Sequence, residues 1–572
     1  MTGSCRVIGG HFLIQFFISY RYLQLKLFII MNQKLHLLAT FFLLILTNHV
    51  YGQLSEKQTK KIDSLFIGWN IPNHPGGSIA VLQNGKTVFS KAYGLASLEY
   101  LTPNSTETLF NIGSNSKQFT AMAIVLLNER NKLSFDDDIR RYIPEFPIFG
   151  NIITIRHLLH HTSGLRDVHG LLGLAGWRND DAISNDDLTR VIIKQNSLNF
   201  NPGEEVLYCN TGYMLLVNII EKITGEKFKY WLKENIFDKL DMNHTYVEDQ
   251  YDRVVPNNAT SYGGNSNFNR KIAYWNYVGS GNMHSTTGDL LKWLQNFSSP
   301  QKNWESAFAT LLTMNPLNNG TPTIFGFGVR IEKHLGKKII QHGGAIGGFR
   351  SIIRSYPEDN LNIVVLSNFT GSNIMSKTNK LAEIMYPIQE KITPQKQVKL
   401  TEKPKKTIKL STKKLANFEG IYWNTKEKYG RKIYVKNDTL RYSRSDTSES
   451  LLAPLKKNKF YMLHVGIDVT VEFVQKGNLK QMVVLVAGEL PIVFDLHKTN
   501  KKSKTKELAE YPGKYYSSEI ETGYTITIEG TDIYIHHIRH RKIKLKRVYQ
   551  DILEGEWPIN MVEIKRSSKG IF

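Results

Sequence analysis

Ser114 and Lys117 stand three residues apart in the segment 110–124, which reads FNIGSNSKQFTAMAI. At the opening of a helix, that spacing puts a hydroxyl and an ammonium on one face about a turn apart. A serine hydroxyl attacks a carbonyl only when a neighbouring base takes its proton, and a desolvated lysine can help to do so. The apolar positions that follow, Phe119, Met122, Ala123, Val125 and Leu126, predict a buried helix that holds Ser114 rigidly. Alone, the pair reads more simply as an N-capping serine with a surface lysine one turn on. Two further motifs, in order downstream, reverse that balance.

The second is Tyr208-Cys209-Asn210, on a short segment between the turn signal Pro202-Gly203 and a helical pattern that resumes at Tyr213. Two residues apart in extended backbone, Tyr208 and Asn210 point the same way and can face one cleft. A phenol ionises near pH 10, so Tyr208 serves as a base only if a cation such as Lys117 stabilises the phenolate. Asn210 offers amide donors and an acceptor for orienting a substrate carbonyl or the lysine. The third is His342-Gly343-Gly344-Ala345, between expected strands at 339–340 and 349–353 joined by glycine-rich backbone. Glycines admit a substrate close to the main chain, where an N–H can serve an oxyanion. Alone, this motif is a hairpin with an exposed histidine.

The order Ser-x-x-Lys, Tyr-x-Asn, His-x-Gly resembles the serine beta-lactamase and penicillin-binding-protein superfamily, in its class C-like branch. The resemblance extends through residues 75–81, 155–165, 279–289 and 363–369. It implies an α/β sandwich with an all-α lobe and a cleft between them. The expected mechanism is an acyl-enzyme one. Ser114 attacks, and Tyr208, its phenolate kept accessible by Lys117, takes the serine proton and returns it to the leaving group. Asn210 orients the substrate amide, and His342 holds the tyrosine or contacts the substrate. Backbone groups at Ser114, Gly344 and Ala345 would receive the oxyanion. Where relatives carry Lys-Thr-Gly this chain has His342-Gly343-Gly344, and a histidine is mostly neutral at pH 7. Beta-lactamase action is therefore less expected than peptidase, amidase or esterase action. Cys209 is expected to be a small buried hydrophobe. The resemblance implies no cofactor and no metal, and His157, His160 and His161 fit its structural segment better than a ligand set.

At 572 residues, 41% of them hydrophobic, the chain can form about two to four domains. Residues 1–52 read as a mis-started extension followed by a secretory signal, which begins at Met31 and is cleaved near Gly52. The protein is then secreted or periplasmic, the alternative being an amino-terminal membrane anchor. Residues 53–390 hold the three motifs, beginning with a hairpin marked by Asn84-Gly85 and returning, after a mostly helical stretch, to strands expected over 325–331, 338–341, 349–356 and 362–367. A lysine-rich linker follows over 391–410. A weak repeat, 415–423 against 508–516, then opens two all-β segments, 411–500 and 507–572, read as lipocalin-like antiparallel barrels, the second shorter and open or truncated. This order resembles that of D-aminopeptidase-type hydrolases. The net charge of +22 gathers in runs such as 403–406, 501–506 and 539–547. Export makes nucleic acid an improbable partner, and leaves anionic cell-envelope material as one that basic faces could attract. Three functions follow: a peptidase or amidase for peptides with D-residues or cell-wall fragments, an esterase, or a silent binding protein with the same fold.

Overall fold

The computed structural model describes residues 54–386, 407–497 and 508–571, except 179, 265, 427–428, 446–447, 464–468, 487–490, 550 and 568–569. The expected leader and most of the expected linker lie outside the described residues.

After helix α1 (Glu56–Phe66), strands β1 (Gly77–Gln83) and β2 (Lys86–Tyr93) form the hairpin that Asn84-Gly85 predicts. Both turn residues have positive φ, 50° and 74°, as a two-residue hairpin turn requires. A helical stretch follows, containing α2 (Lys117–Glu129), α3 (Asn210–Thr224) and α4 (Thr287–Gln295). The chain then returns to strands β3 (Arg330–His334), β4 (Lys337–Ile346), β5 (Phe349–Tyr356) and β6 (Leu361–Ser367), and to helix α5 (Ile374–Met385). The sheet is antiparallel, in the order β3-β4-β5-β6-β1-β2, so the first hairpin closes onto the last strand, with Gly77 opposite Ser367.

Period-two alternation divides the two cores. Ile79, Val81, Ile363 and Val365 pack with Ile62 and Phe66 of α1 and Leu381 of α5. Ala80, Val364 and Leu366 belong to the core on the other face, with Phe119 of α2 and Leu290 and Trp293 of α4. With both faces covered, β6 is buried along its whole length. This is the α/β sandwich with a helical lobe.

Two local expectations change. The glycines of the third motif lie inside β4, which continues to Ile346 instead of breaking after residue 341. A Cβ on Gly344 would stand 1.9 Å from the Ile112 carbonyl oxygen, so glycine here lets the Ser114 turn lie against the strand. The strand expected over 325–331 begins only at Arg330. Gly328, at φ 72°, turns the preceding segment against the backbone of Lys117.

Beyond the linker, eight strands between Gly420 and His497 form a closed antiparallel barrel, the first pairing with the last through Tyr422 and Leu496. Tyr422, Phe460, Phe473, Met482 and Phe494 form its core. The second β segment is an open six-stranded sheet between Gly513 and Glu563. Its core, around Tyr511, Ile535 and Leu553, receives Leu174 from the first domain. Polar contacts join the same surfaces. Arg166 pairs with Glu519 at 2.5 Å, Lys194 with Glu521 at 2.5 Å, and Arg539 with Asp181 at 2.6 Å.

Candidate active site

A 3₁₀ turn, Gly113–Ser116, leads directly into α2, so Ser114 and Lys117 lie one turn apart where helix and sheet meet. The turn is held from three sides. Asn111 Oδ1 accepts the Gly113 N–H at 2.9 Å, Ser351 Oγ donates to the Ile112 carbonyl at 2.6 Å, and Asn115 Nδ2 donates to Ser351 Oγ at 2.7 Å. Ser114 is half-buried and Lys117 is fully buried, with 0% exposure. Lys117 Nζ donates to Ser280 O at 2.6 Å and to Asn210 Oδ1 at 2.8 Å, and lies 3.4 Å from Ser114 Oγ. Burial lowers its pKa to about 7, against the pull of the Asp167 carboxylate. A neutral lysine has two N–H bonds and one lone pair. With Ser280 and Asn210 occupying both N–H bonds, the lone pair is left for the Ser114 hydroxyl.

Asn210 is the first residue of α3. The Asp167 carboxylate accepts its backbone N–H at 2.6 Å and its side-chain Nδ2 at 2.9 Å. This double contact satisfies a free N–H at a helix start and turns Oδ1 toward Lys117. The Tyr208 ring lies 4.4 Å from that of His161 and 6.0 Å from that of His342, and Lys117 Nζ is 4.8 Å from its centre. Its hydroxyl is buried and has no hydrogen-bond partner among the described residues. Burial raises the phenol well above its ordinary value; the Ser114 hydroxyl is near enough to oppose the shift, though it does not reach hydrogen-bond geometry. Cys209 is buried with its Sγ toward the Leu165 carbonyl, and burial pushes its thiol up to about 12, which leaves no thiolate to act as a nucleophile.

His342 is buried and its Nδ1–H donates to the Gly343 carbonyl at 2.7 Å. Since a carbonyl only accepts, Nε2 carries the lone pair, and that buried atom has no partner among the described residues. Burial, with Lys117 and Arg330 nearby, pushes the imidazole down to about 3. Gly344 stands under the Ser114 turn, and Ala345 is exposed with its backbone nitrogen against Gly113. Among the described residues β4 has no strand partner on its β3 side beyond Gln341, which leaves the edge over 342–346 unpaired there. Of the three neighbouring histidines, His157 belongs to a helix-capping pair with Thr154, His160 Nδ1 meets the Phe325 carbonyl, and His161 Nδ1 accepts the Cys209 N–H.

The residues picked out in the sequence thus meet in one cleft. Asp167 and Ser280 also meet there, without having been picked out. Asp167 lies just beyond the 155–165 segment and Ser280 inside the 279–289 segment, so both had a signal in their neighbourhood but none in their own spacing.

A beta-lactamase family profile matches residues 69–383, more than half of the chain. Penicillin-binding protein 4* of Bacillus subtilis is 30% identical over 338 residues, 55% of this chain and 73% of that protein. A D-aminopeptidase of Gluconobacter oxydans is 28% identical over 311 residues, 54% of this chain; the match spans 58% of that enzyme, less than two thirds of its length. The solved structure of an octameric penicillin-binding protein homologue from Pyrococcus abyssi superposes with a TM-score of 0.52 at 25% identity, covering 76% of this chain and 99% of that one. The matched span starts ahead of β1 and ends within α5, enclosing both layers of the sandwich and the whole cleft, and the chain belongs to the beta-lactamase family.

Proposed function

We propose that the protein is a serine hydrolase that acts through an acyl-enzyme on peptide or amide substrates, with D-residue or cell-wall peptides favoured. The observation that carries this reading is the placement of Lys117, fully buried, with two hydrogen bonds committed to Ser280 and Asn210 and its third direction toward Ser114. In the first step the Ser114 proton passes to Lys117 Nζ as Oγ bonds to the carbonyl carbon. The backbone N–H groups of Ser114 and Ala345 receive the oxyanion. Tyr208, kept protonated by its burial, gives its hydroxyl proton to the leaving nitrogen as the C–N bond breaks, and Lys117 restores that proton. Water then repeats the sequence on the acyl-enzyme and releases Ser114. The base is thus Lys117 rather than Tyr208, because burial depresses the lysine and raises the phenol.

The preference for amides draws on the likeness to a D-aminopeptidase and a penicillin-binding protein, and the buried neutral His342 argues against strong capture of a carboxylate there. Reaction with a fluorophosphonate tests the reading. Ser114 is expected to carry the adduct, and Ser114→Ala is expected to abolish it with an unchanged melting temperature. An adduct elsewhere, or none, would support the silent binder. Tyr208→Phe separates the esterase alternative, since an ester with a good leaving group needs little protonation and keeps its rate while an amide loses it. We also place the protein outside the cytoplasm, on the layout of residues 31–52; amino-terminal sequencing of the exported form should begin near Gln53. Among the described residues no helix is long and apolar enough to cross a membrane.

A further inference from the structure

The Tyr208 hydroxyl has no hydrogen-bond partner among the described residues, so ring packing and backbone aim the phenol. Both lead to His161. Of the rings packed around Tyr208, that of His161 lies nearest, at 4.4 Å, against 6.0 Å for His342 and 6.4 Å for Phe325. The His161 carbonyl accepts the Leu207 N–H at 3.0 Å, and its Nδ1 accepts the Cys209 N–H at 3.1 Å. One residue therefore grips the chain immediately before and immediately after Tyr208.

That grip is held by a residue in an uncommon state. His161 follows the short helix Ile155–Leu159 and takes a φ of 60°, in the left-handed region that few residues other than glycine enter. It is buried, with its ring also packed on those of Tyr213 and Phe325, each at 5.2 Å. Because Nδ1 accepts, the ring proton is on Nε2, and that buried atom has no partner among the described residues. A second proton would go on Nδ1 and release the Cys209 N–H. Burial, with Lys117 and His342 nearby, holds the imidazole well below its ordinary range, so the acceptor persists. A left-handed backbone and an unpaired buried donor both cost stability, and a residue that only filled space at a helix end would need neither.

We infer that His161 is a positioning residue for Tyr208: by holding the main chain on both sides of the tyrosine and backing its ring, it keeps the phenol where the leaving nitrogen departs. The inference rests on the proposed function for the task given to Tyr208. His161 itself touches no reacting atom and transfers no proton. Its loss is therefore felt in the step that needs the tyrosine proton, and not in the attack by Ser114.

The test uses two substrates that share one acyl group, acetylalanine p-nitroanilide and acetylalanine p-nitrophenyl ester, in whichever of the D and L forms reacts faster. Nitrophenolate leaves without a proton, whereas the anilide nitrogen needs one. Asparagine and glycine both accept a left-handed φ, but only asparagine carries a side-chain acceptor, its Oδ1 standing where Nδ1 stands. In the full-length protein, His161→Gly should lower kcat on the anilide roughly 10- to 100-fold, while KM and the ester rate stay within about threefold. His161→Asn should recover about 5-fold or more of that loss. Added to Tyr208→Phe, His161→Gly should cost little more on the anilide. Equal losses on both substrates, an asparagine variant no better than the glycine one, additive losses in the double variant, or loss of fluorophosphonate labelling in both single variants would overturn the role. Failure of the reading beneath it looks different, and takes this role with it: the unmodified protein would not label at Ser114, or would label there and leave the anilide intact.

Discussion

Replacing Asp167 by asparagine should move the pH dependence of acylation toward acid. Asp167 reaches Lys117 through one amide: 2.9 Å from its carboxylate to Asn210 Nδ2, then 2.8 Å from Asn210 Oδ1 to the lysine. The two charges are therefore about 7 Å apart, and at an effective dielectric near 20 they attract by roughly 2 kcal/mol, or about 1 to 2 pH units at most. Asp167 is partly exposed, and solvent screening brings the expectation toward about one unit. The sign follows from the cation. Without the carboxylate the ammonium is less stable, the lysine pKa falls below about 7, and the neutral base is present at lower pH. The assay is the rate of fluorophosphonate reaction under excess reagent, across roughly pH 5 to 9, for both proteins. The acid limb of the variant should lie lower by about one unit. Asp167 also caps the helix Val168–Leu174 through the His169 N–H at 3.0 Å, so a stability loss of about 1 kcal/mol is expected alongside, and a melting curve separates the two effects. An acid limb that stays in place or moves upward would refute the coupling.

Lys117→Ala and Tyr208→Phe should each lower amide turnover by about 10²- to 10⁴-fold, and the double variant should lose little more than the worse single one, because both serve one proton path; additive losses would mean that they act separately. Gly344→Ala should cost about 1–3 kcal/mol or more in chemical denaturation and slow acylation as well, since a Cβ 1.9 Å from the Ile112 carbonyl displaces the turn that carries Ser114. Wild-type acylation or stability in that variant would show that the turn can yield. Removing residues 391–572 should leave a folded domain that still reacts at Ser114 but melts at lower temperature, because Leu174 loses its cover and Arg166, Lys194 and Asp181 lose their partners. Loss of reaction in a truncation that circular dichroism shows to be folded would mean that the β segments complete the site.

Much of this architecture is legible in the sequence because it is encoded locally. Asn84-Gly85 can form the turn it forms, and the apolar pattern after Lys117 does bury α2. The paired glycines of β4 mislead, because Gly344 serves a backbone contact from a segment more than two hundred positions away, which propensity does not register. Asp167 and Ser280 were missed for the same reason: each touches Asn210 or Lys117 only after the helical lobe has folded over the sheet. The direction of proton transfer is a further step removed. Residue types and spacing point to Tyr208 as the group that takes the serine proton; the burial that lowers Lys117 and raises Tyr208 is the reason the proposed mechanism gives that step to Lys117 instead.

The contact between the open carboxy-terminal sheet and the first domain falls on the stretch that carries Asp167. Arg166, the residue before it, is held by Glu519, and Asp181, Lys194 and Leu174 anchor the surrounding surface. Partly exposed ion pairs of this kind are individually weak, on the order of 1 kcal/mol or less each. If tightening the sheet against Arg166 changes the affinity of the cleft, a ligand in the cleft changes the grip of the sheet by the same factor. Any such coupling has a short way to travel, because Arg166, which Glu519 holds, is one peptide bond from Asp167, which holds Asn210.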